Sequence, residues 1–201
     1  TNKPGLLMVT SGPGGTNAIT GVAASWTDGI PIMVLSGQMK EEIRLNEKDK
    51  AEGLRQMGPQ EINIIDIVKP ITKYAVLVDD KSKIRYELEK AVYLAKSGQP
   101  GPVWLDIPLD IQNSEVEPEV LGGFSLVPES KQEIPYDRIA NALNKVQKPL
   151  MIVGHGIRLA NGIEDLWKFL EKTKINVVSA MSGTDLVNYE YPYYLGDQGI
   201  T

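Results

Sequence analysis

Short apolar runs alternate along this chain with segments whose apolar residues recur every three or four positions. The runs predict buried parallel strands, and the spaced segments predict helices that pack against them. In the first half of the chain the predicted strands are Leu6–Val9, Pro31–Leu35, Tyr74–Val78 and Pro102–Ile107. Strands and helices in this alternating order indicate an α/β fold with parallel sheets.

Three helices are predicted between these strands. The first begins after Gly12, and its apolar face is Ala18, Ile19, Val22, Ala23 and Trp26. A short helix is predicted over residues 62–68. The third begins after a capping aspartate, Asp79 or Asp80, and ends at Gly98, because aspartate favours helix starts and glycine favours helix ends.

The stretch Pro108–Pro135 contains four prolines, five glutamates and few periodic apolar residues, which is typical of a linker. After it the alternation resumes, with strands at Leu150–Val153 and Ile175–Ser179. The helix faces of this part are Ile139, Leu143 and Val146, then Ile163, Leu166, Trp167 and Leu170. The sequence therefore predicts two α/β segments, residues 1–110 and 136–201, joined by an extended linker over 111–135.

The amino-acid composition excludes several kinds of functional site and partner. The 201 residues include no cysteine, which excludes disulfides, thiolate metal sites and a catalytic cysteine. The single histidine, His155, rules out a His-rich metal site and leaves a Ser-His-Asp triad little room. A net charge of −5 gives a nucleic-acid partner no basic surface, and no apolar stretch approaches the roughly 18 residues of a spanning helix. We expect a soluble, cytoplasmic protein without nucleic-acid or membrane partners.

A glycine-rich segment, Gly12-Pro13-Gly14-Gly15-Thr16-Asn17, joins the first predicted strand to the first helix. Glycines let a backbone approach a ligand closely, and a helix N-terminus presents unpaired N–H groups. The Lys-Ser/Thr pair of a Walker loop is missing, so the segment is not a phosphate loop of that kind. A tight turn without a ligand explains the glycines equally well.

Three other segments are weaker candidates. Gly154-His155-Gly156 lacks the third glycine and the acidic residue of an NAD fingerprint, which favours a plain turn and a surface histidine over an adenine-containing ligand. In the segment 56–61, Glu61 is interpreted as a cap of the following short helix or as a residue of a substrate-binding loop. The run Tyr189–Tyr194 indicates either an aromatic interface or a buried turn.

Several of these segments, taken together, resemble a known family. The run Val9–Ala18, the segment Asp28–Ile32, Ser36-Gly37-Gln38, Gln60-Glu61, Val68–Tyr74 and Gly101–Pro108 follow one another in this order. They resemble the pyrimidine-binding domain of thiamine-diphosphate-dependent enzymes, and within that superfamily the acetolactate synthase large subunit. Lys148-Pro149 and Gly154-x-Gly156 resemble the entry to the family's central domain.

The resemblance implies an enzyme that decarboxylates a pyruvate-like 2-oxo acid and transfers the acyl carbanion to a second carbonyl. Its cofactors would be thiamine diphosphate and magnesium. Carried over by position, Pro13, Gly14 and Asn17 would lie against the pyrimidine of the cofactor. Gln60 would be the catalytic residue that donates a hydrogen bond to the substrate's carboxylate or carbonyl.

The family's activating glutamate and its Asp-Asn motif for diphosphate and metal have no counterpart in these residues, so the resemblance assigns no metal ligand here. We expect the chain to be a fragment, part of a pyrimidine-binding domain and part of a central domain. A third domain and a second subunit, in a homodimer or homotetramer, would complete the site. In isolation the chain would be a catalytically silent module with exposed apolar surface.

Two departures from the family pattern affect these expectations. Pro59 stands where acetolactate synthases have an aromatic residue, which favours a relative acting on another 2-oxo acid or on a sugar-derived aldehyde. Gln99 replaces the arginine that contacts flavin in the family. Because an uncharged amide is a poor substitute for a phosphate-binding arginine, bound FAD is not expected.

Overall fold

The protein is described by a computed structural model over residues 3–46, 49, 52–126 and 133–198. The chain divides into two compact units, with the boundary after Leu126. The first unit contains the glycine-rich segment and the Gln60 loop, and the second contains the Gly154-His155-Gly156 turn.

A four-stranded parallel sheet forms the centre of the first unit, in the strand order β1-β2-β4-β3. The strands are β1 (Gly5–Val9), β2 (Ile32–Gln38), β3 (Tyr74–Leu77) and β4 (Val103–Pro108). Central strand β4 is almost wholly buried, as its apolar sequence predicts. Its one charged residue, Asp106, is buried with the others.

Helices cover both faces of this sheet. They are α1 (Pro13–Asp28), α2 (Ile64–Val68), α3 (Ile84–Lys96) and the single turn α4 (Leu109–Gln112). Helices α1 and α2 pack with Trp104 on one face, whereas α3 packs with Leu105 on the other, because successive side chains of a strand point to opposite faces. Asp80 accepts a hydrogen bond from Ser82 N at 2.9 Å and so caps the 3₁₀ turn that precedes α3.

The described residues 113–126, which belong to the predicted linker, contain no helix or strand and pack against α3. The Phe124 ring lies 5.6 Å from that of Tyr86 and 5.4 Å from that of Tyr93. Phe124 N also donates a hydrogen bond to Glu89 Oε2 at 2.7 Å, and Arg85 Nη1 donates to the carbonyl oxygen of Pro118 at 2.9 Å. This part of the linker is therefore fastened to the first unit.

A three-stranded parallel sheet, in the order β5-β6-β7, forms the second unit. Its strands are β5 (Leu150–Val153), β6 (Asn176–Ser179) and β7 (Tyr194–Asp197), and its helices are α5 (Tyr136–Lys145), α6 (Gly156–Leu159) and α7 (Ile163–Thr173). Strand β7 was not predicted from the sequence. Of the preceding tyrosine run, Tyr191 packs within this unit, with its ring 5.8 Å from Trp167 and its hydroxyl donating to Leu170 O at 2.8 Å.

Edge strands of both sheets expose apolar side chains. In β1, Leu6 is 61% and Met8 is 73% exposed, and in β5 Leu150 and Ile152 are more than half exposed. Exposed apolar surface was expected from the sequence, and it is present on one strand of each unit. Among the described residues no helix is long and apolar enough to cross a membrane.

We predict that Phe124→Ala releases residues 113–126 from α3, because it removes two aromatic contacts of the kind that contribute about 1 kcal/mol each. Limited proteolysis should then cleave this segment several-fold faster than in the unmodified chain. Val120→Ala is the matched control, since Val120 lies in the same segment and is 75% exposed. Equal cleavage rates for the two variants would contradict the fastening role of Phe124.

Candidate functional site

The glycine-rich segment and the Gln60 loop touch each other. Gly12 lies between β1 and α1 with φ of +59°, in the left-handed region that glycine adopts at little cost. A Cβ atom at position 12 would stand 2.1 Å from the carbonyl oxygen of Gln60. Gln60 itself has φ of +62°. The structure thus brings together two segments that are nearly fifty residues apart in the sequence.

The first turn of α1 places the predicted cofactor-binding residues at the surface. Pro13 and Asn17 are exposed, and Gly14 is half-buried. A Cβ atom at Gly14 would approach Thr10 Cγ2 to 2.6 Å, so a larger residue there would displace the Thr10 side chain. A cleft of about 380 Å³ lies beside this turn at the carboxyl ends of β1, β2 and β4, with Thr10, Ser11 and Gln38 in its wall.

Glu61 holds the Gln60 loop in shape. Its carboxylate accepts hydrogen bonds from the backbone N–H groups of Leu45 at 2.6 Å, Met57 at 2.9 Å and Gly58 at 3.1 Å. The interpretation of Glu61 as a helix cap is wrong. Asn63 directly precedes α2 and caps it, with its side chain accepting a hydrogen bond from Asp66 N at 3.3 Å.

A buried chain of hydrogen bonds joins the sheet to this loop. Trp104 Nε1 donates to Ser36 Oγ at 2.7 Å, and Ser36 Oγ donates to Asp106 Oδ1 at 2.6 Å. Gln38 Nε2 donates both to Asp106 Oδ2 at 2.8 Å and to the carbonyl oxygen of Ile62 at 2.9 Å. Gln38 therefore links the central strand β4 to a residue two positions beyond Gln60.

Burial governs the ionisation of Asp106. The residue is 1% exposed, and burial raises the pKa of its carboxyl to about 6. Hydrogen bonds from Ser36 and Gln38, and the charge of Arg44, act in the opposite direction. At neutral pH the ionised carboxylate accepts from both neighbours, which is the arrangement the donors require.

Sequence reasoning assigned no role to Ser36, Gln38 or Asp106, although all three lie in segments that carry the family resemblance. One signal was available, because an acidic residue in a strand predicted to be buried must have partners. Their identity depends on the register of β2 and β4, which places Ser36 opposite Asp106. The spacing of residues along the chain does not reveal that register.

The second unit contains the remaining candidate turn, Gly154-His155-Gly156. His155 is half-buried and precedes α6, where its carbonyl accepts hydrogen bonds from the backbone N–H groups of Arg158 and Leu159. Within the described ranges no three His, Cys, Asp or Glu side chains cluster as metal ligands would.

The raised pKa of Asp106 makes stability depend on pH. Between the ordinary pKa of 3.8 and about 6 the folded state binds the proton more tightly, so stability falls as pH rises through this window. We predict that, from pH 4 to pH 7, wild type loses about 2 kcal/mol relative to Asp106→Asn. Urea unfolding at each pH measures the difference, with exposed Asp28→Asn as the control for one lost charge. A difference that is constant across this range would contradict the assignment.

Gly12→Ala should destabilise the first unit by about 2 kcal/mol or more, because the new Cβ atom meets a backbone oxygen and φ is positive. Gly21→Ala is the matched control in the exposed part of α1, where a Cβ atom meets nothing within 4 Å. Thermal unfolding of the two variants tests this, and equal melting temperatures would refute the contact between the two loops.

Comparison with known proteins identifies both units. Residues 1–67 match the model of the thiamine pyrophosphate enzyme N-terminal TPP binding domain, and residues 136–201 match that of the thiamine pyrophosphate enzyme central domain. The acetolactate synthase isozyme 2 large subunit of Escherichia coli is 34% identical over all of this chain and 35% of its own length.

Similar relatives occur in other organisms. The chloroplastic acetolactate synthase of Arabidopsis thaliana is 33% identical over 90% of this chain and 26% of its own length. The acetolactate synthase large subunit of Lactococcus lactis is 31% identical over 98% of this chain and 33% of its own length. The chain thus spans about a third of the length of these curated relatives. Since two domain models match and the relatives are similar over 90% or more of this chain, the chain belongs to the thiamine pyrophosphate enzyme family.

Proposed function

We propose that this chain supplies the pyrimidine side of the cofactor site in an enzyme that decarboxylates a pyruvate-like 2-oxo acid and transfers the acyl group to a second carbonyl. The observation that carries the proposal is the contact between Gly12 and Gln60. It joins the segment that resembles the family's cofactor-binding turn to the segment that resembles its substrate-facing loop.

The residues of the α1 turn suit a pyrimidine ring. Gly14 contributes no side chain, the exposed Pro13 offers an apolar surface, and the exposed amide of Asn17 can donate and accept hydrogen bonds. A ring with flat apolar faces and polar edge atoms needs this combination. Thiamine diphosphate, when bound, supplies the electron sink for the loss of carbon dioxide.

Gln60 is proposed to orient the substrate. Its side-chain amide would donate a hydrogen bond to the carboxylate or carbonyl of the 2-oxo acid. The chain is held on both sides of Gln60, at Gly58 by the Glu61 carboxylate and at Ile62 by the side chain of Gln38. A loop fixed in this way positions the amide before the substrate arrives, which is how positioning groups accelerate reactions.

We propose that other parts of the enzyme's site are supplied from outside these 201 residues. The diphosphate and magnesium sites and the activating glutamate have no counterpart here, so a third domain and a second subunit of a homodimer or homotetramer would complete the site. We propose that the enzyme is cytoplasmic. We also propose that it works without FAD, since Gln99 lacks the charge of the family's arginine.

A second candidate is a related decarboxylase or carboligase with a different 2-oxo acid or a sugar-derived aldehyde as substrate. The observation that favours it is Pro59, which is exposed and directly precedes Gln60. A proline offers a smaller surface than the family's aromatic residue and would change the pocket for the second carbonyl.

The role of Gln60 can be tested in a protein that joins this chain to the activating glutamate and the Asp-Asn motif. Asparagine adopts a positive φ readily, and its side chain is one methylene shorter than that of glutamine. A loss of activity in Gln60→Asn therefore reports the position of the amide group and not backbone strain. We expect it to lower kcat/KM for pyruvate at least tenfold with an unchanged melting temperature, as carbon dioxide release would show. Exposed Gln147→Asn is the matched control.

If pyruvate is inert while another short 2-oxo acid or an aldehyde reacts, the second candidate is correct. Inertness towards every such substrate would refute both candidates.

The isolated 201-residue chain should be catalytically silent, because it carries only one side of the proposed site. Calorimetric titration with thiamine diphosphate and magnesium is expected to show no binding tighter than millimolar. Micromolar binding would show that these residues hold the cofactor without further domains.

A further inference from the structure

Strand β1 has the most exposed edge of the two sheets in the described part of the chain. It pairs with β2 alone, and its side chains Leu6, Leu7 and Met8 are 61%, 41% and 73% exposed. An edge strand presents a row of unpaired backbone N–H and C=O groups, which a strand of another chain can use. The free edge of β1 is therefore a surface at which a further strand can be added.

The other edge strands are better protected. All four residues of β3 are half-buried, β5 buries Val153, and β7 pairs with an irregular register and ends in the charged Asp197. Charges, prolines and bulges are the usual devices that keep an edge strand from pairing with another chain. Strand β1 (Gly5–Val9) contains no charge and no proline, and its register with β2 is unbroken.

The hydrogen bonds to β2 show which backbone groups of β1 point outward. Gly5 N donates to the carbonyl oxygen of Pro31 at 3.0 Å, so the backbone groups of Gly5 face β2. Successive residues of a strand direct these groups to opposite edges. The N–H and C=O groups of Leu6 and Met8 consequently point to the free edge.

The side chains of Leu6 and Met8 lie on the same face of the sheet. They are in register with Met33 and Leu35 of β2, which pack into the apolar cluster beneath α3. Because Leu6 and Met8 are exposed, α3 does not cover this face as far as β1. The free edge thus combines unused hydrogen-bonding groups with uncovered apolar side chains.

We propose that a second copy of this chain pairs with the free edge of β1, antiparallel and about a two-fold axis through Leu7. In this register Leu6 of each copy lies opposite Met8 of the other. Since the backbone groups of both residues point outward, each of these two pairs exchanges two hydrogen bonds. Lys3 lies opposite Ser11, so the pairing opposes no like charges.

The strand complements itself in hydrogen bonding, apolar contacts and charge, as a two-fold symmetric interface requires. The four side chains that meet on one face are Leu6 and Met8 of both copies, and such cross-strand apolar pairs stabilise a sheet. The pairing would join two four-stranded sheets into one. This inference concerns the chain itself and is independent of the cofactor and the proposed reaction.

A single introduced thiol tests the register, because the chain contains no cysteine. At the proposed axis Leu7 faces Leu7 of the second copy as a non-hydrogen-bonded pair, with Cα atoms about 4.5 Å apart, a separation that a disulfide spans. Leu7→Cys should oxidise to a covalent dimer at least about tenfold faster than Val120→Cys, since Val120 is equally accessible but lies outside the sheet. Equal rates for the two variants would overturn the proposal.

Sedimentation equilibrium of the unmodified 201-residue chain measures the association directly. An interface formed chiefly by one pair of strands is small and therefore weak, so we expect a dissociation constant of about 100 µM. Leu6→Lys should weaken association by about tenfold or more, because it places a charge among the apolar side chains of the paired edge. Val120→Lys adds the same charge away from β1 and should associate like wild type.

The edge of β5 supplies the competing explanation for a dimer. Ile152 of β5 is also exposed, so Ile152→Lys should leave association unchanged if β1 is the interface. A dimer that Ile152→Lys disrupts and Leu6→Lys does not would overturn the assignment to β1. A monomer at every concentration up to about 1 mM would leave this edge to a different partner and overturn the proposal itself. Should Leu6→Lys fail to fold, the comparison of the two cysteine variants still decides.

Discussion

The first unit depends on one buried interaction, the hydrogen bonds that Asp106 receives inside the sheet. A carboxylate in a strand as buried as β4 is tolerated only with donors on both oxygens, and Ser36 and Gln38 of β2 supply them. The parallel register of these two strands is therefore fixed by polar chemistry as well as by apolar packing. Because Gln38 also binds the carbonyl of Ile62, the same interaction extends from the sheet to the loop that carries Gln60.

Most of the fold could be predicted from the sequence because its parallel strands are short apolar runs, and this holds even for the exposed edge strands β1 and β5. The predicted strand Leu150–Val153 has the same bounds in the structure, and Leu6–Val9 differs by one residue. Strand β7 left no such pattern, since Tyr194–Asp197 combines a glycine and an aspartate with only two apolar residues. Its position depends on pairing with β6, a contact that a local pattern does not encode.

The candidate site was predictable in its parts but not in its assembly. Composition marked the glycine-rich turn, and the family resemblance marked Gln60, yet only the three-dimensional structure shows that Gly12 packs on Gln60. Glu61 was misassigned because both it and Asn63 are acceptors near the start of α2, and the residue adjacent to the helix has the better geometry.

The packing of Gly12 on the backbone of Gln60 constrains how a protein of this kind can be redesigned. Two loops in van der Waals contact cannot be optimised one at a time, because a larger residue at the first moves the second. Libraries aimed at a new substrate range would therefore diversify Met57 or Pro59 while leaving position 12 unchanged. Recombination between relatives would exchange residues 12–61 as one block, so that the turn and the loop stay matched.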